Sequence, residues 1–142
     1  MFLISHRGNI DGPNKQMENS PSYVDYALQE GFDVEIDVWL TKGSLTLGHD
    51  EPQYEVTIEY LRNKKLWCHC KNIKALECLL KEGIRCFFHD RDTATLTSDG
   101  YIWTYPGCEL TPASICVMPE LFKNQKILDI AGICSDNIKD YR

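Results

Sequence analysis

The chain has 142 residues, 43% of them hydrophobic and 25% charged, which supplies the core of one globular domain over 1–142 and excludes a disordered chain. A net charge of -6, without any dense Lys/Arg cluster, argues against a nucleic-acid partner. A small anionic ligand would therefore need a metal ion or a few placed cations.

The first apolar run, "FLIS" at 2–5, reads as a strand ending at His6. "MFLISHRGN" has no basic leader and too short an apolar run for a signal peptide, and no later stretch approaches a membrane span. Seven cysteines is an odd count, and most sit in apolar runs where a thiol acts as a small hydrophobe. These features lead us to expect a soluble, unprocessed protein of the reducing cytoplasm. After the turn-rich stretch at 8–16, "MENSPSYVDYALQEG" predicts a helix. Asn19 or Ser20 caps it, Pro21 fits its first turn, and Tyr23, Ala27 and Leu28 or Tyr26 recur before Gly31.

"DVEIDVWL" at 33–40 and "LWCHC" at 66–70 are the next strands. "NIKALECLLKEG" predicts a second helix, with Ile73, Leu76, Leu79 and Leu80 on one face and Gly83 as its stop. "RCFF", "YIWTY", "SICVM" and "GICSD" complete the strands, "TATLTSDGYIW" predicts a hairpin turning at Asp99-Gly100, and "PELFKNQK" holds a short helix. Strands alternating with helices in the front half indicate a parallel sheet with crossover helices. A (β/α)8 barrel usually takes about 200 residues or more, so a closed barrel requires trimmed helices and an open sheet competes.

Alternation along a strand assigns its faces. Val34, Ile36, Val38 and Leu40 share the side suited to helices, while Asp33, Glu35, Asp37 and Trp39 share the other. Glu35 and Asp37 then lie roughly 6–7 Å apart and repel each other unless a positive charge sits between them. The same rule groups Ile4 with His6, and Trp67 with His69 and Lys71. Each polar member falls at the C-terminal end of its strand, where parallel α/β proteins place their sites. Such an oxygen-rich set suits Mg2+ or Ca2+. Cys68 and Cys70 alternate away from His69, so "CHC" reads as two buried thiols rather than a zinc site.

"HRG" at 6–8, "ENS" at 18–20, "VEIDV" at 34–38 and "HD" at 49–50, in that order and spacing, resemble the glycerophosphodiester phosphodiesterase family, with "HCKN" at 69–72 and "GICSDNI" at 132–138 as weaker continuations. The resemblance implies a compact, reduced (β/α)8 TIM-type barrel with trimmed helices in its C-terminal half. It implies a phosphoric diester hydrolase with His6 and His49 as acid/base pair, Glu35 and Asp37 on a divalent metal, and Arg7 at the phosphate or rim. Glu18 and Asn19 would lie beside metal and Arg7, Glu18 as a further candidate ligand. Lys71 matches a family lysine, but His69 stands where the family has an acidic ligand. That exchange removes a negative charge and shifts metal preference from Mg2+ or Ca2+ toward Mn2+ or Zn2+.

The expected activity is metal-dependent hydrolysis of a glycerophosphodiester or a related small or polymeric phosphodiester. Two rivals stand beside it. One is a phosphate-binding module without turnover; the other is a zinc hydrolase of a different substrate, built on His69, His89 and nearby acids. His89, in "FFHDRD", approaches the same rim, and Trp103 and Tyr105 either wall a substrate pocket or pack against the mouth. Exposed strand edges in so short a barrel favour a homodimer.

Overall fold

A computed structural model describes residues 1–142. The strands are β1 (Phe2–His6), β2 (Asp33–Thr41), β3 (Ser44–Leu47), β4 (Tyr54–Glu55), β5 (Leu66–Cys70), β6 (Cys86–Phe87), β7 (Ala94–Leu96), β8 (Ile102–Thr104), β9 (Ser114–Val117) and β10 (Gly132–Ser135). The α-helices are α1 (Pro21–Gln29), α2 (Ile58–Leu61) and α3 (Ile73–Lys81), with 3-10 turns at Pro119–Leu121 and Ile138–Tyr141. Parallel pairing runs in the order β6-β5-β2-β1-β10-β9-β8. β3 and β4 extend antiparallel from β2, and β7 pairs antiparallel with β8.

The architecture is mixed α/β, a curled sheet forming a half-barrel with few helices. No strand ladder closes the full barrel implied by the resemblance. The hairpin of β7 and β8 instead touches the free edge of β6: Ser98 N–H donates to the Cys86 carbonyl at 2.8 Å, and Ser98 Oγ accepts from Cys86 N–H at 3.0 Å. The chain is too short to give each strand a helix, so the segments after β9 and β10 reduce to 3-10 turns. No helix is long and apolar enough to cross a membrane.

The expected alternation of β2 is realised. Val34, Ile36 and Val38 join Val24 and Ala27 of α1 and Ala75 and Leu79 of α3 in one apolar layer. On the other side of the sheet, Ile4, Trp67, Phe87, Trp103, Ile115, Val117 and Cys134 fill the interior of the curl. Its N-terminal end is plugged by Phe2, Trp67 and Tyr101, edge-on or tilted at 5.2–5.5 Å, with the Arg85 guanidinium 4.0 Å from the Trp67 ring. Apolar filling at that end leaves the C-terminal end as the place for polar side chains.

Two details of the helices differ from the sequence expectation. In α1 the buried residues are Val24 and Ala27, and Tyr26 is exposed. In α3 they are Ala75 and Leu79, while Ile73 and Leu80 are 64% and 52% exposed. A nine-residue helix touches the sheet along a narrow strip, so only one of two overlapping apolar stripes is covered. β3, β4 and α2 carry no strong sequence pattern and enter as additions.

Candidate metal centre and its cavity

Register brings the polar side chains together. Parallel pairing sets His6 beside Glu35 and Asp37 beside His69, all facing the inside of the curl near its C-terminal end. Glu35 and Asp37 are buried, and so is most of His69. His69 Nδ1 lies 3.1 Å from Asp37 Oδ1 and 3.7 Å from Glu35 Oε1, and His6 Nε2 lies 3.9 Å from Glu35 Oε2.

The two carboxylates are not equivalent. Asp37 is surrounded by Arg7 Nε at 3.1 Å, Lys71 Nζ at 3.5 Å and His69, and it accepts a hydrogen bond from Asn19 Nδ2 at 2.9 Å. Burial alone would raise its pKa, but the close imidazole and the two fixed cations outweigh it and hold the group well below the usual carboxylate range. Glu35 has no such escort. Burial, then the charge of Asp37, push its pKa up further than His6, Arg7 and His69 pull it down.

Glu35 Oε2 and His69 Nε2 are buried without a hydrogen-bond partner, and Asp37 Oδ1 has ion-pair contacts to His69 and Lys71 but no well-aligned hydrogen bond, a costly arrangement for the first two. One ligand atom from each of Glu35, Asp37 and His69 falls within a 4.8 Å set. Around them, the carboxylates of Glu18, Glu35, Asp37 and Asp136 face only Arg7 and Lys71 as permanent cations. Two oxygen donors, one nitrogen donor and an excess of negative charge fit a divalent cation.

Glu18 stands apart from this trio, accepting hydrogen bonds from Arg7 Nη1 at 3.1 Å and Asn9 Nδ2 at 3.0 Å. It braces Arg7, which in turn faces Asp37. Arg7 and Asn19 both adopt left-handed backbone conformations, with φ of 56° and 64°. Such strain costs about 1–2 kcal/mol per residue and gathers at functional sites. Gly8 follows from the same turn, because a Cβ there would meet the Tyr23 ring at 2.6 Å.

His6 Nδ1–H donates to Asp136 Oδ1 at 2.8 Å, since an ionised carboxylate can only accept. Burial lowers the His6 pKa, but the Asp136 bond and the Glu35 charge more than restore it, so the net shift is upward. Asp136, also bonded by Asn9 Nδ2 at 2.8 Å, is held down despite burial, chiefly by His6. Asp136 was not singled out from the sequence; its position at the C-terminal end of β10 was the available signal. His49, on the loop after β3, repeats the arrangement with Nδ1 2.8 Å from Asp50 Oδ1, but its ring is 42% exposed. In both histidines Nε2 is the nitrogen left for proton transfer.

A cavity of about 370 Å³ joins these groups. Its polar half is formed by His6, Arg7, Glu35, His49, His69 and His89, and its apolar half by Trp103, Tyr105, Pro106, Val117, Met118 and Leu121. The His89 ring stacks on His69 at 4.4 Å and meets the Tyr105 hydroxyl through its Nε2. Burial, then the charges of His69 and Lys71, lower the His89 pKa to about 4, so it is neutral at pH 7. Trp103 packs on Phe87 at 4.5 Å as part of the interior and also lines the cavity. Lys71 stays outside the lining and Asn19 borders a second hollow of about 330 Å³, which shares Arg7 and His49 with the first and has no apolar residue in its wall.

Cys68 and Cys70 face the helix-side layer, opposite His69, and all seven cysteines are free. Among known proteins, no family model, no curated protein and no solved structure matches the chain.

Proposed function

We propose that the protein hydrolyses a phosphodiester with the help of one divalent cation held by Glu35, Asp37 and His69. The observation that carries this reading is the buried cluster in which one ligand atom from each of those residues lies within 4.8 Å of the others, with His6 and His49 lining the same cavity. The resemblance in the sequence supports it and would make the half-barrel a reduced form of the (β/α)8 architecture. When bound, the cation neutralises the phosphodiester and stabilises charge developing on its oxygens.

The chain's own residues do the rest. Arg7, fixed by Glu18 and Asp37, presents a permanent positive charge toward the cavity. Nε2 of one histidine takes the proton from the attacking oxygen of water or of a neighbouring substrate hydroxyl as that oxygen bonds to phosphorus. Nε2 of the other delivers a proton to the leaving alkoxide as its P–O bond breaks. Asp136 and Asp50 hold the two rings in the tautomer this requires. Mg2+ and Ca2+ fit the oxygen donors, and His69 draws the site toward Mn2+ or Zn2+.

The test is hydrolysis of glycerophosphocholine and an activated aryl phosphodiester by metal-stripped protein, with Mg2+, Ca2+, Mn2+ and Zn2+ returned one at a time. Turnover restored by a metal, and reduced about 10²–10⁴-fold in His6→Ala and His49→Ala, is the expected result. Diester binding without turnover under any metal would leave a binding module in its place.

A further inference from the structure

His6 and His49 each have one ring nitrogen tied to an aspartate, but His69 is held in another way. Its Nδ1 turns toward Asp37 at 3.1 Å and Glu35 at 3.7 Å, and its Nε2 is buried without a hydrogen-bond partner. A metal-binding imidazole is ordinarily oriented by a hydrogen bond from its other nitrogen. Here flat rings take that part. Phe87 lies beside His69 in the register of β5 and β6 and stacks on it at 5.1 Å and 5°. His89, on the same side of the chain as Phe87, stacks on it at 4.4 Å and 14°. The Phe87 and His89 centroids are only 6.5 Å apart, with planes 13° from parallel, which is less than two stacking spacings. The two rings therefore lie side by side as a shelf under one face of His69.

We infer that His89 is a positioning residue: pinned by Tyr105, it completes with Phe87 a shelf that holds the His69 imidazole toward Asp37 and Glu35 and so favours cations that prefer a nitrogen ligand; this rests on the proposed cation site. Both halves of the shelf are anchored. Phe87 is buried and packs on Trp103 at 4.5 Å. His89 Nε2 meets the hydroxyl of Tyr105, which follows β8 and reaches it across the edge that no ladder closes. An imidazole turned out of this plane would drive an edge into one of the two rings, so its nitrogen stays in line with the carboxylates. A nitrogen donor fixed in direction raises affinity for Co2+ or Zn2+, whereas Mg2+ and Ca2+ bind chiefly to oxygens. The shelf has this use only because residue 69 is an imidazole; the acidic ligand implied by the resemblance has no ring to lie on it.

Titration calorimetry of the metal-stripped natural chain, His89→Ala and His89→Phe with Co2+, Mg2+ and Ca2+ tests this, and the visible spectrum of the Co2+ form reports the geometry of its ligands. In His89→Ala the expected result is a Co2+ affinity lower by about 10–100-fold, as when a partner of a metal-bound imidazole is removed, together with shifted visible bands. His89→Phe restores a flat ring and should recover both, and Mg2+ and Ca2+ should lose less affinity than Co2+. Unchanged Co2+ affinity and spectrum in His89→Ala overturn the inference and leave the cation site intact. A loss shared equally by Mg2+ and Ca2+, or one that His89→Phe does not recover, marks general damage to the fold and also overturns it. So does a natural chain that takes Mg2+ or Ca2+ but not Co2+. A natural chain that takes none of the three removes the cation site and the inference with it.

Discussion

Glu35 is the residue on which the site's energetics turn. Its pKa is raised in the fold by burial and by Asp37, so above that raised value the folded chain carries an ionised group it would rather expose. Below the ordinary glutamate range, about 4.3, the penalty is absent. The metal-free protein should therefore gain stability as pH falls from neutrality through the Glu35 titration. Glu35→Gln should stabilise the metal-free protein at pH 7 by about 1 kcal/mol, measured by urea unfolding, and remove part of that pH dependence. His6 adds to this trend with pH and Asp136 opposes it. The depressed Asp136 contributes stability above its ordinary pKa and loses it as pH falls; the raised His6 contributes stability below its ordinary pKa and loses it as pH rises. Asp136→Asn should thus cost about 1–3 kcal/mol near pH 5–6, between the two ordinary values of about 3.9 and 6.5, and less near pH 9. Alternation in "DVEIDVWL" and "LWCHC" made Glu35, Asp37 and His69 legible in the sequence. The partner of His6 was not, because Asp136 lies 130 residues away and only the pairing of β1 with β10 brings them together.

At the scale of elements, Asn72 fastens α3 to the sheet. Its side chain accepts from Ala75 N–H at 3.0 Å as the helix N-cap, and its amide donates to the Leu40 carbonyl at 3.0 Å. Asn72→Ala should cost about 1–2 kcal/mol in urea unfolding, and Asn72→Ser should recover the cap but not the clasp to β2. The loop after β3 depends on Gly48, where a Cβ would stand 2.0 Å from the Glu51 carbonyl oxygen. Gly48→Ala must shift the backbone next to His49. Under the proposed hydrolase reading, steady-state kinetics should show at least about a tenfold loss of kcat/KM. The starts and stops of α1 and α3 were readable because caps, proline and glycine are local signals. The buried faces were less so, since Ile73 and Leu80 differ from Leu76 and Leu79 only in what tertiary structure sets against them. β3, β4 and α2 escaped because they are short and partly polar.

Across the whole molecule, two apolar layers on opposite faces of one curled sheet leave the C-terminal end of its interior for charge. The N-terminal end is sealed by Phe2, Trp67, Tyr101 and Arg85. The parallel sheet followed from the order of strands and helices in the sequence. The degree of closure did not, because it depends on how far the hairpin of β7 and β8 swings toward β6, a contact made by Ser98 and Cys86 rather than by a ladder. The excess of carboxylates inside this shell would couple binding of a cation to stability. Metal-loaded protein should melt above metal-free protein in a calorimetric scan, and Glu35→Gln should abolish the difference.

Glu35, Asp37 and His69 together should hold one divalent cation. Titration calorimetry of the metal-stripped chain with Mg2+, Ca2+, Mn2+ and Zn2+ tests it directly, alongside Glu35→Gln and Asp37→Asn. One cation bound per chain, with binding lost in both variants, is the expected result. Absence of binding for every cation, or binding undiminished by either substitution, would contradict it.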